Sequence, residues 1–195
     1  MLRSRAMANL KLRLIKAIDM TPMPWKNGGG TTSEVAISPA NASVAGLDFD
    51  WRVSIATIGA DGPFSQFEGY DRQLVVWKGE GLQINDEFKA SNKPFQLRGE
   101  DSTDAKLTEG PVKDIGVIFK RGEVKAELGV KSAPAESITT HIVRGECFIL
   151  CGQGELRIDE FYLNPGDVVH AQGEGELAIT ALDQARIIAC DIAIR

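Results

Sequence analysis

The sequence is poor in the residues that bind zinc or form disulfides. Among its 195 residues there are 3 cysteines and 2 histidines, and no two cysteines form a C-x-x-C pair. An odd number of cysteines in a chain of this length predicts reduced, buried thiols of a cytoplasmic protein rather than a disulfide framework. Their spacing also argues against a zinc site.

Long apolar runs and an excess of positive charge are missing as well. The apolar stretches are strand-sized and interrupted by Asp, Lys or Gly, whereas a bilayer span needs ~20 residues. Near the start, Lys11, Arg13 and Lys16 interrupt the leucines, which argues against a secretory signal. Because 22 Lys+Arg face 27 Asp+Glu, the net charge has the wrong sign for neutralising phosphates. We therefore expect neither a membrane nor a nucleic acid as partner.

The sequence does have period-two alternation and frequent turns. Hydrophobic residues make up 43 % of the chain, enough for a core, and apolar residues alternate with polar ones at 10–14, 49–55 and 156–158. The 20 glycines are spread along the chain, several of them in turn pairs such as Asp61-Gly62 and Pro165-Gly166. This pattern predicts a mostly β protein with little helix.

An internal repeat divides the chain into two halves. The segment VVWKGEGLQINDEFKASNKPF aligns with FILCGQGELRIDEFYLNPGD, which places Gly79 and Gly81 over Gly152 and Gly154. Each copy reads as a strand, a G-x-G turn, a strand, a turn and another strand. We expect residues 1–120 to form the first half, with the N-terminal strands and the ligand pocket. Residues 121–195 form the second half, whose sheet the N-terminal strands are available to complete.

The duplicated pattern resembles the cupin fold, and the duplication resembles a bicupin. The resemblance implies an all-β bicupin in which two jelly-roll β-barrels pack as one globular unit. In the first half, the positions at which cupins carry metal ligands hold Ser65, Phe67 and Arg72, and the second half lacks the ligand set too. An arginine in place of a carboxylate repels a cation. We therefore expect no metal and no other cofactor.

A glycine-rich motif, PWKNGGGTTSE, lies at residues 24–34. Three consecutive glycines are costly to order, so their presence indicates a positive φ or the close approach of another group. A bend at a strand end and a ligand-binding loop are both open readings. The motif lacks the G-x-x-x-x-G-K-[ST] order of a phosphate loop.

Two arginines occupy polar positions of predicted strands. In FDWRVSIA, residues 49–56, alternation places Arg52 and Ser54 on the face opposite Trp51 and Val53. In DGPFSQFEGYDR, residues 61–72, Arg72 occupies a barrel-lining position of the cupin pattern. Two guanidinium groups that converge on one cavity would hold a carboxylate through bidentate hydrogen bonds.

Together these three motifs, in this order and spacing, resemble the HutD/Ves family of bacterial bicupins. The resemblance implies a metal-free bicupin, linked in some bacteria to histidine utilisation, that senses a pathway metabolite. Family members commonly carry a D-F-N-V-M-like strand, in which Gly116 here replaces the amide. No residue is assigned a catalytic role. A ligand-binding role is assigned to Trp25, Lys26, Asn27, Thr31, Thr32, Glu34, Arg52, Ser54, Ser65 and Arg72.

We expect a cytoplasmic protein that binds a small carboxylate metabolite and acts in regulation. The resemblance suggests urocanate or a formylated glutamate as the ligand class. The second half then serves as a scaffold or as the surface of a homodimer. Two alternatives stay open. One is a metal-independent isomerase or hydrolase with Glu34 or Lys26 as its acid–base group, and the other is a stress-response interaction module with a vestigial cavity.

Overall fold

The computed structural model describes residues 10–195, and this part of the chain is built from β-strands. Its 3-residue 3₁₀ helix is Ala17–Asp19, and no α-helix occurs in the described residues. The all-β prediction is therefore confirmed. No helix in this range is long and apolar enough to cross a membrane. The strands are β1 (Lys11–Ile15), β2 (Met23–Pro24), β3 (Gly30–Ser38), β4 (Trp51–Ile58), β5 (Gly62–Pro63), β6 (Tyr70–Lys78), β7 (Gly81–Ile84), β8 (Glu87–Ala90), β9 (Phe95–Arg98), β10 (Asp104–Leu107), β11 (Val112–Lys120), β12 (Val124–Ala133), β13 (Ser137–Gln153), β14 (Leu156–Ile158), β15 (Phe161–Leu163), β16 (Val168–Ala181) and β17 (Ala185–Ile194).

The chain divides into two compact units. The first unit comprises residues 18–130 with 194–195, and the second comprises residues 131–193 with 10–17. The division expected from the repeat lies earlier, at residue 120. The difference is residues 121–130, which include the first part of β12 and which the repeat does not cover. In the second unit, β1 pairs antiparallel with β16.

In the first unit, two sheets pack face to face. A 6-stranded sheet has the order β2-β3-β4-β11-β6-β9, and a 4-stranded sheet has the order β5-β10-β7-β8. One apolar cluster joins them, and a second cluster lies around the Phe49 and Tyr70 rings, whose centroids are 4.6 Å apart. The first cluster comprises Ile58, Val76, Leu82, Ile84, Ala105 and Val112. Both clusters follow from the alternation of apolar residues along the strands.

In the second unit, one sheet carries the core. Its strands follow the order β17-β13-β16-β14-β15, with β1 added at β16. One apolar cluster of this unit includes Cys147, Ile149 and Cys151 of β13, and Leu12 and Leu14 of β1 pack against it. All three cysteines of the chain are free and buried.

None of the sheets in residues 10–195 closes on itself through hydrogen bonds. The strand pairing therefore shows open sheets and does not show the two closed barrels that the cupin resemblance implied. Jelly rolls are double-sheet structures in which the sheets meet by side-chain packing, so their sheet edges need not be hydrogen-bonded to each other.

The repeat is present as a pair of hairpins. β7 and β8 pair with Ile84 opposite Glu87, and β14 and β15 pair with Ile158 opposite Phe161. Asn85 and Asp159, the first turn residues, both have positive φ, as two-residue hairpin turns require. Ile84 and Ile158 stand 74 positions apart, one more than the spacing of the aligned glycines, so the copies differ by one residue at the G-x-G turn.

The glycine run forms a bend at the start of β3. The backbone of Trp25 accepts a hydrogen bond from Gly28 N and donates one to Gly30 O, and Gly28 has a φ of +72°. A Cβ on Gly30 would lie 2.4 Å from the Thr57 carbonyl oxygen and 3.1 Å from the Trp25 ring. Gly30 therefore allows Trp25 to pack on the strand, which supports the bend interpretation.

Replacing Gly30 by alanine is expected to lower the free energy of unfolding by about 1–3 kcal/mol, because an overpacked Cβ displaces backbone or ring. The measurement is chemical denaturation of the wild type and Gly30→Ala. Gly29→Ala is the control, since its Cβ would meet nothing nearer than the Asn27 side chain at 3.4 Å. Equal stability of the two variants would contradict the packing argument.

Candidate functional site

The two predicted arginines lie in one row on one face of the six-stranded sheet. Arg52 of β4 and Arg72 of β6 both pair with Ile118 of β11, which lies between them. Residues paired in this way point to the same side of a sheet. With strands ~4.8 Å apart, the two arginine Cα atoms are about 10 Å from each other. Both side chains are buried, with Arg52 at 6 % and Arg72 at 5 % exposure.

Further polar residues continue this face, which we call the polar face. Ser54 pairs with Gly116 on one side and with Glu34 on the other. Thr32 lies two residues before Glu34 on β3 and so points to the same face. Ser54 and Gly116 are in the middle of the sheet yet only half-buried. A Cβ on Gly116 would meet no atom nearer than 3.6 Å. The centre of the face is therefore partly accessible to solvent, and a methyl group at Gly116 would be in ordinary contact with Leu74.

Arg72 is held by uncharged partners. Its Nη1 donates to the Ser65 carbonyl oxygen at 3.2 Å, its Nη2 donates to Thr103 Oγ1 at 3.2 Å, and its guanidinium lies 5.2 Å from the Phe64 ring centroid. The buried Nε has no hydrogen-bond partner within residues 10–195. Burial lowers the pKa of Arg72, and the negative field of Asp114 opposes this shift. Arg72 is thus a buried cation whose Nε–H donates no hydrogen bond to the described residues.

Asp114 of β11 is a buried carboxyl on the same face. It pairs with Ala56 of β4, four residues along each strand from the arginine row. Burial raises the pKa of Asp114 to about 7, and a backbone hydrogen bond with Ala56 and the charge of Arg72 act in the opposite direction. Near neutral pH this group therefore exists in both protonation states.

Arg52 is paired with Glu34. Arg52 Nε donates to Glu34 Oε2 at 2.9 Å, and the Glu34 side chain remains 36 % exposed. The pair links β3 to β4 and holds the carboxylate at the solvent side of the polar face. The terminal nitrogens of Arg52 make no hydrogen bond in the described part of the chain, so they are available to an anion.

Trp25 forms an aromatic edge to the polar face. Its Nε1 donates to Thr32 Oγ1 at 2.7 Å, and its ring meets the Phe64 ring edge-on with centroids 6.3 Å apart. Trp25 is half-buried.

Four other predicted residues take different positions. Lys26 and Asn27 are exposed in the bend, where Asn27 Oδ1 accepts a hydrogen bond from Gly29 N at 3.0 Å. Thr31 alternates to the opposite face of β3. Ser65 holds Arg72 through its backbone carbonyl rather than its hydroxyl.

Sequence reasoning missed Asp114, Thr103 and Phe64 as contributors to the site. Asp114 lies in a polar part of the sequence that favours a loop. In strand β11, however, Ile115 and Val117 point to one face, so Asp114 and Gly116 point to the other. Thr103 is fixed by a hydrogen bond to the Asp101 carbonyl at 3.1 Å, a contact no spacing rule reveals. Phe64 belongs to the third motif, and this membership was the available sequence signal. Its contact with the Arg72 guanidinium is visible only in the structure.

A separate groove of about 450 Å³ also lies in the first unit. Its lining includes Gln73, Phe95, Arg121, Lys125 and Leu128, and none of the predicted site residues. Gln73 joins the groove walls, since its side chain donates to the Ala126 carbonyl and accepts from Leu128 N. This groove does not coincide with the polar face.

Comparison with protein families matches residues 17–189 to the model named HutD. This chain belongs to the HutD family. The match extends over both halves, whereas the three motifs cover only the first. Arg52, Arg72 and the glycine bend all lie within the matched residues.

Two curated relatives support the assignment. An uncharacterized 21.2 kDa protein in the hutC 3' region of Pseudomonas putida is 37 % identical over 124 residues, which cover 60 % of this chain and 63 % of that protein. Protein Ves of Citrobacter koseri is 32 % identical over 148 residues, 71 % of this chain and 74 % of that protein.

Solved structures show the same fold. The conserved protein of unknown function PA5104 from Pseudomonas aeruginosa PAO1 has a TM-score of 0.79 at 27 % identity, covering 93 % of this chain and 98 % of that one. HutD from Pseudomonas fluorescens SBW25, in a formate condition, has a TM-score of 0.76 at 28 % identity, covering 95 % and 100 %. The bacterial pirin YhhW from Escherichia coli has a TM-score of 0.67 at 10 % identity over 93 % and 98 %, a likeness of fold alone.

The pKa of Asp114 generates a prediction on pH-dependent stability. Because the folded-state pKa of about 7 lies above the ordinary value of 3.8 for an aspartate, ionising Asp114 opposes folding. The free energy of unfolding contributed by the neutral Asp114 carboxyl is fully present below about pH 4. It is lost as the pH rises to about 7, by an amount on the order of 4 kcal/mol.

Asp114→Asn retains a neutral side chain of the same shape, so its free energy of unfolding relative to the wild type should rise between pH 4 and 7 and then level. Urea denaturation at each pH gives this difference, and the other carboxyls cancel in it. A difference that stays constant across this range would show that Asp114 ionises freely in the fold.

Proposed function

We propose that the polar face of the first unit binds a small carboxylate metabolite and that binding serves regulation in the cytoplasm. The observation that carries the proposal is Arg72, a buried cation whose Nε is unpaired. A buried charge is costly unless paired. An anionic ligand on the polar face would supply the missing partner.

The arrangement suits a carboxylate held between two cations. The terminal nitrogens of Arg52 offer the fork geometry that matches a carboxylate, and Arg72 adds charge and its Nε–H from the far side of Ile118. Trp25 and Phe64 offer ring surfaces for a planar ligand. Asp114 offers a hydrogen-bond donor when protonated, which suits a neutral polar group on the ligand.

The relatives favour a link with histidine utilisation. One is named for its place in the hutC 3' region, and one structure of HutD was obtained in a formate condition, formate being the smallest carboxylate. Urocanate or a formylated glutamate is accordingly the ligand class to test first. A bicupin architecture, one barrel for each unit, belongs to the same proposal.

The polar face also allows an alternative enzymatic role. Glu34 is the accessible carboxylate of the site, with one oxygen engaged by Arg52. Lys26, the other candidate acid–base group, is exposed in the bend and is not on the polar face. Turnover of a carboxylate that is lost in Glu34→Gln while binding is retained would favour the enzyme over the binding protein.

Arg72→Met is expected to weaken carboxylate binding roughly 10- to 150-fold, the effect of losing a charge-assisted hydrogen bond of about 1.5–3 kcal/mol. Methionine keeps most of the apolar volume of the side chain. The measurement is calorimetric titration with urocanate, formylglutamate and glutamate.

Arg98→Met is the matched control, because Arg98 is an exposed arginine on β9, the strand beside Arg72. Thermal melts show whether each variant folds. If the wild type binds none of a broad carboxylate panel, or if Arg72→Met binds as tightly as Arg98→Met, Arg72 is a structural residue and the interaction-module alternative gains.

A further inference from the structure

A second cluster of reactive side chains lies in the second unit, apart from the polar face. The possible ligand atoms of His141, Cys147 and Asp191 all lie within 4.8 Å of one another. None of the three occupies a metal-ligand position of the cupin pattern, and the cysteine spacing, which argued against zinc, did not predict that these residues meet in the fold. They combine an imidazole, a thiol and a carboxylate.

The fold brings these three residues together from two strands. Cys147 of β13 is directly opposite Asp191 of β17, so their side chains share one face. His141 stands six positions earlier on β13, too far to reach Cys147 along a straight strand. Gly145 and Gly173 face each other between β13 and β16 with φ of +101° and +125°. We attribute the return of His141 to Asp191 to a bend at this glycine pair.

The cluster is buried on one side and open on the other. Cys147 is fully buried, whereas the His141 and Asp191 side chains are 23 % and 45 % exposed. His141 Nε2 lies 2.8 Å from Asp191 Oδ1, and Cys147 Sγ lies within 4.8 Å of both groups. A small group placed among the three atoms would thus contact the thiol below and solvent above.

We propose that His141, Cys147 and Asp191 bind one Zn²⁺ ion, with a fourth coordination position open to solvent. Sulfur, nitrogen and oxygen donors in one set match the ligands of zinc, whereas calcium and magnesium take oxygen donors. With metal–ligand bonds of about 2.0–2.3 Å, tetrahedral ligand atoms stand roughly 3.3–3.6 Å apart. The cluster, already within 4.8 Å, needs only small side-chain movements.

The geometry argues against a cysteine nucleophile at this place. A nucleophilic thiol needs the imidazole hydrogen-bonded to it as a base, but here the imidazole Nε2 of His141 is paired with Asp191. Burial and the charge of Asp191 raise the pKa of the Cys147 thiol well above its usual range. The metal-free thiol is therefore protonated at neutral pH, and zinc binding must release that proton.

The chain offers two matched controls. Cys151 lies on the same strand and in the same apolar cluster as Cys147, and its thiol faces the carbonyls of Gln153 and Gly154. Cys190 is a third buried free thiol, next to Asp191 in the chain. Neither cysteine is one of the three proposed zinc ligands. Substituting either one therefore removes a thiol without removing a proposed ligand.

The test is titration of the full chain, first dialysed against a chelator, with Co²⁺ and then Zn²⁺. We expect one equivalent of Co²⁺ to give the near-ultraviolet charge-transfer band of a cobalt thiolate, and one equivalent of Zn²⁺ to abolish it. The band should persist in Cys151→Ser and Cys190→Ser and vanish in Cys147→Ser. His141→Gln and Asp191→Asn should each weaken Zn²⁺ binding at least 10-fold in competition with a chromophoric chelator.

The half-exposed positions keep the test decisive if Cys147→Ser fails to fold, because His141→Gln and Asp191→Asn change side chains at the surface. Absence of the thiolate band in the wild type, or its loss in Cys151→Ser instead of Cys147→Ser, overturns the proposal. Unchanged Zn²⁺ affinity in both His141→Gln and Asp191→Asn overturns it as well.

Discussion

Burying the Arg72 guanidinium is the constraint on which the polar face depends. Transfer of an ion from water into a protein costs several kcal/mol even after relaxation, and Arg72 forms no salt bridge within residues 10–195. The cost is offset by a carbonyl, a hydroxyl and an aromatic ring from two separate loops, together with the field of Asp114. Both sheets of the first unit must therefore be in place before Arg72 can be buried.

This requirement places the site between two apolar clusters. At one end of the sheet, Ile58 and Val112 belong to the cluster that joins the sheets, and at the other end Ile118 packs against Phe49. The arginine row includes Ile118 and so lies at this second end, where burial strengthens electrostatic interactions. The glycine bend completes the edge, because Gly30 lets the Trp25 ring approach the strand.

Alternation and spacing predicted much of this face, and long-range register accounts for the rest. Period two placed Arg52 with Ser54, but a bulge between Glu34 and Ala36 shifts β3, so Ile37 rather than Ala36 lies beside Arg52. The contribution of Thr103 depends on a loop that folds over β6. Likewise, His141 reaches Asp191 through a bend in β13, and a glycine in the sequence does not by itself predict such a bend. A lone sequence carries no information on such pairings until strand partners are known.

The two buried ionisable groups also bear on whether the polar face binds or catalyses. Burial disfavours the charged form of both groups, which lowers the pKa of Arg72 and raises that of Asp114, while the charge of each group acts against the shift of the other. A carboxylate that approaches Arg72 adds negative charge near Asp114 and so favours its protonated form. Binding of an anion would then be linked to proton uptake at Asp114, and the neutral acid would face the ligand as a hydrogen-bond donor. A base must be ionised in the complex, so this coupling argues against Asp114 as a catalytic base and favours its role in recognition.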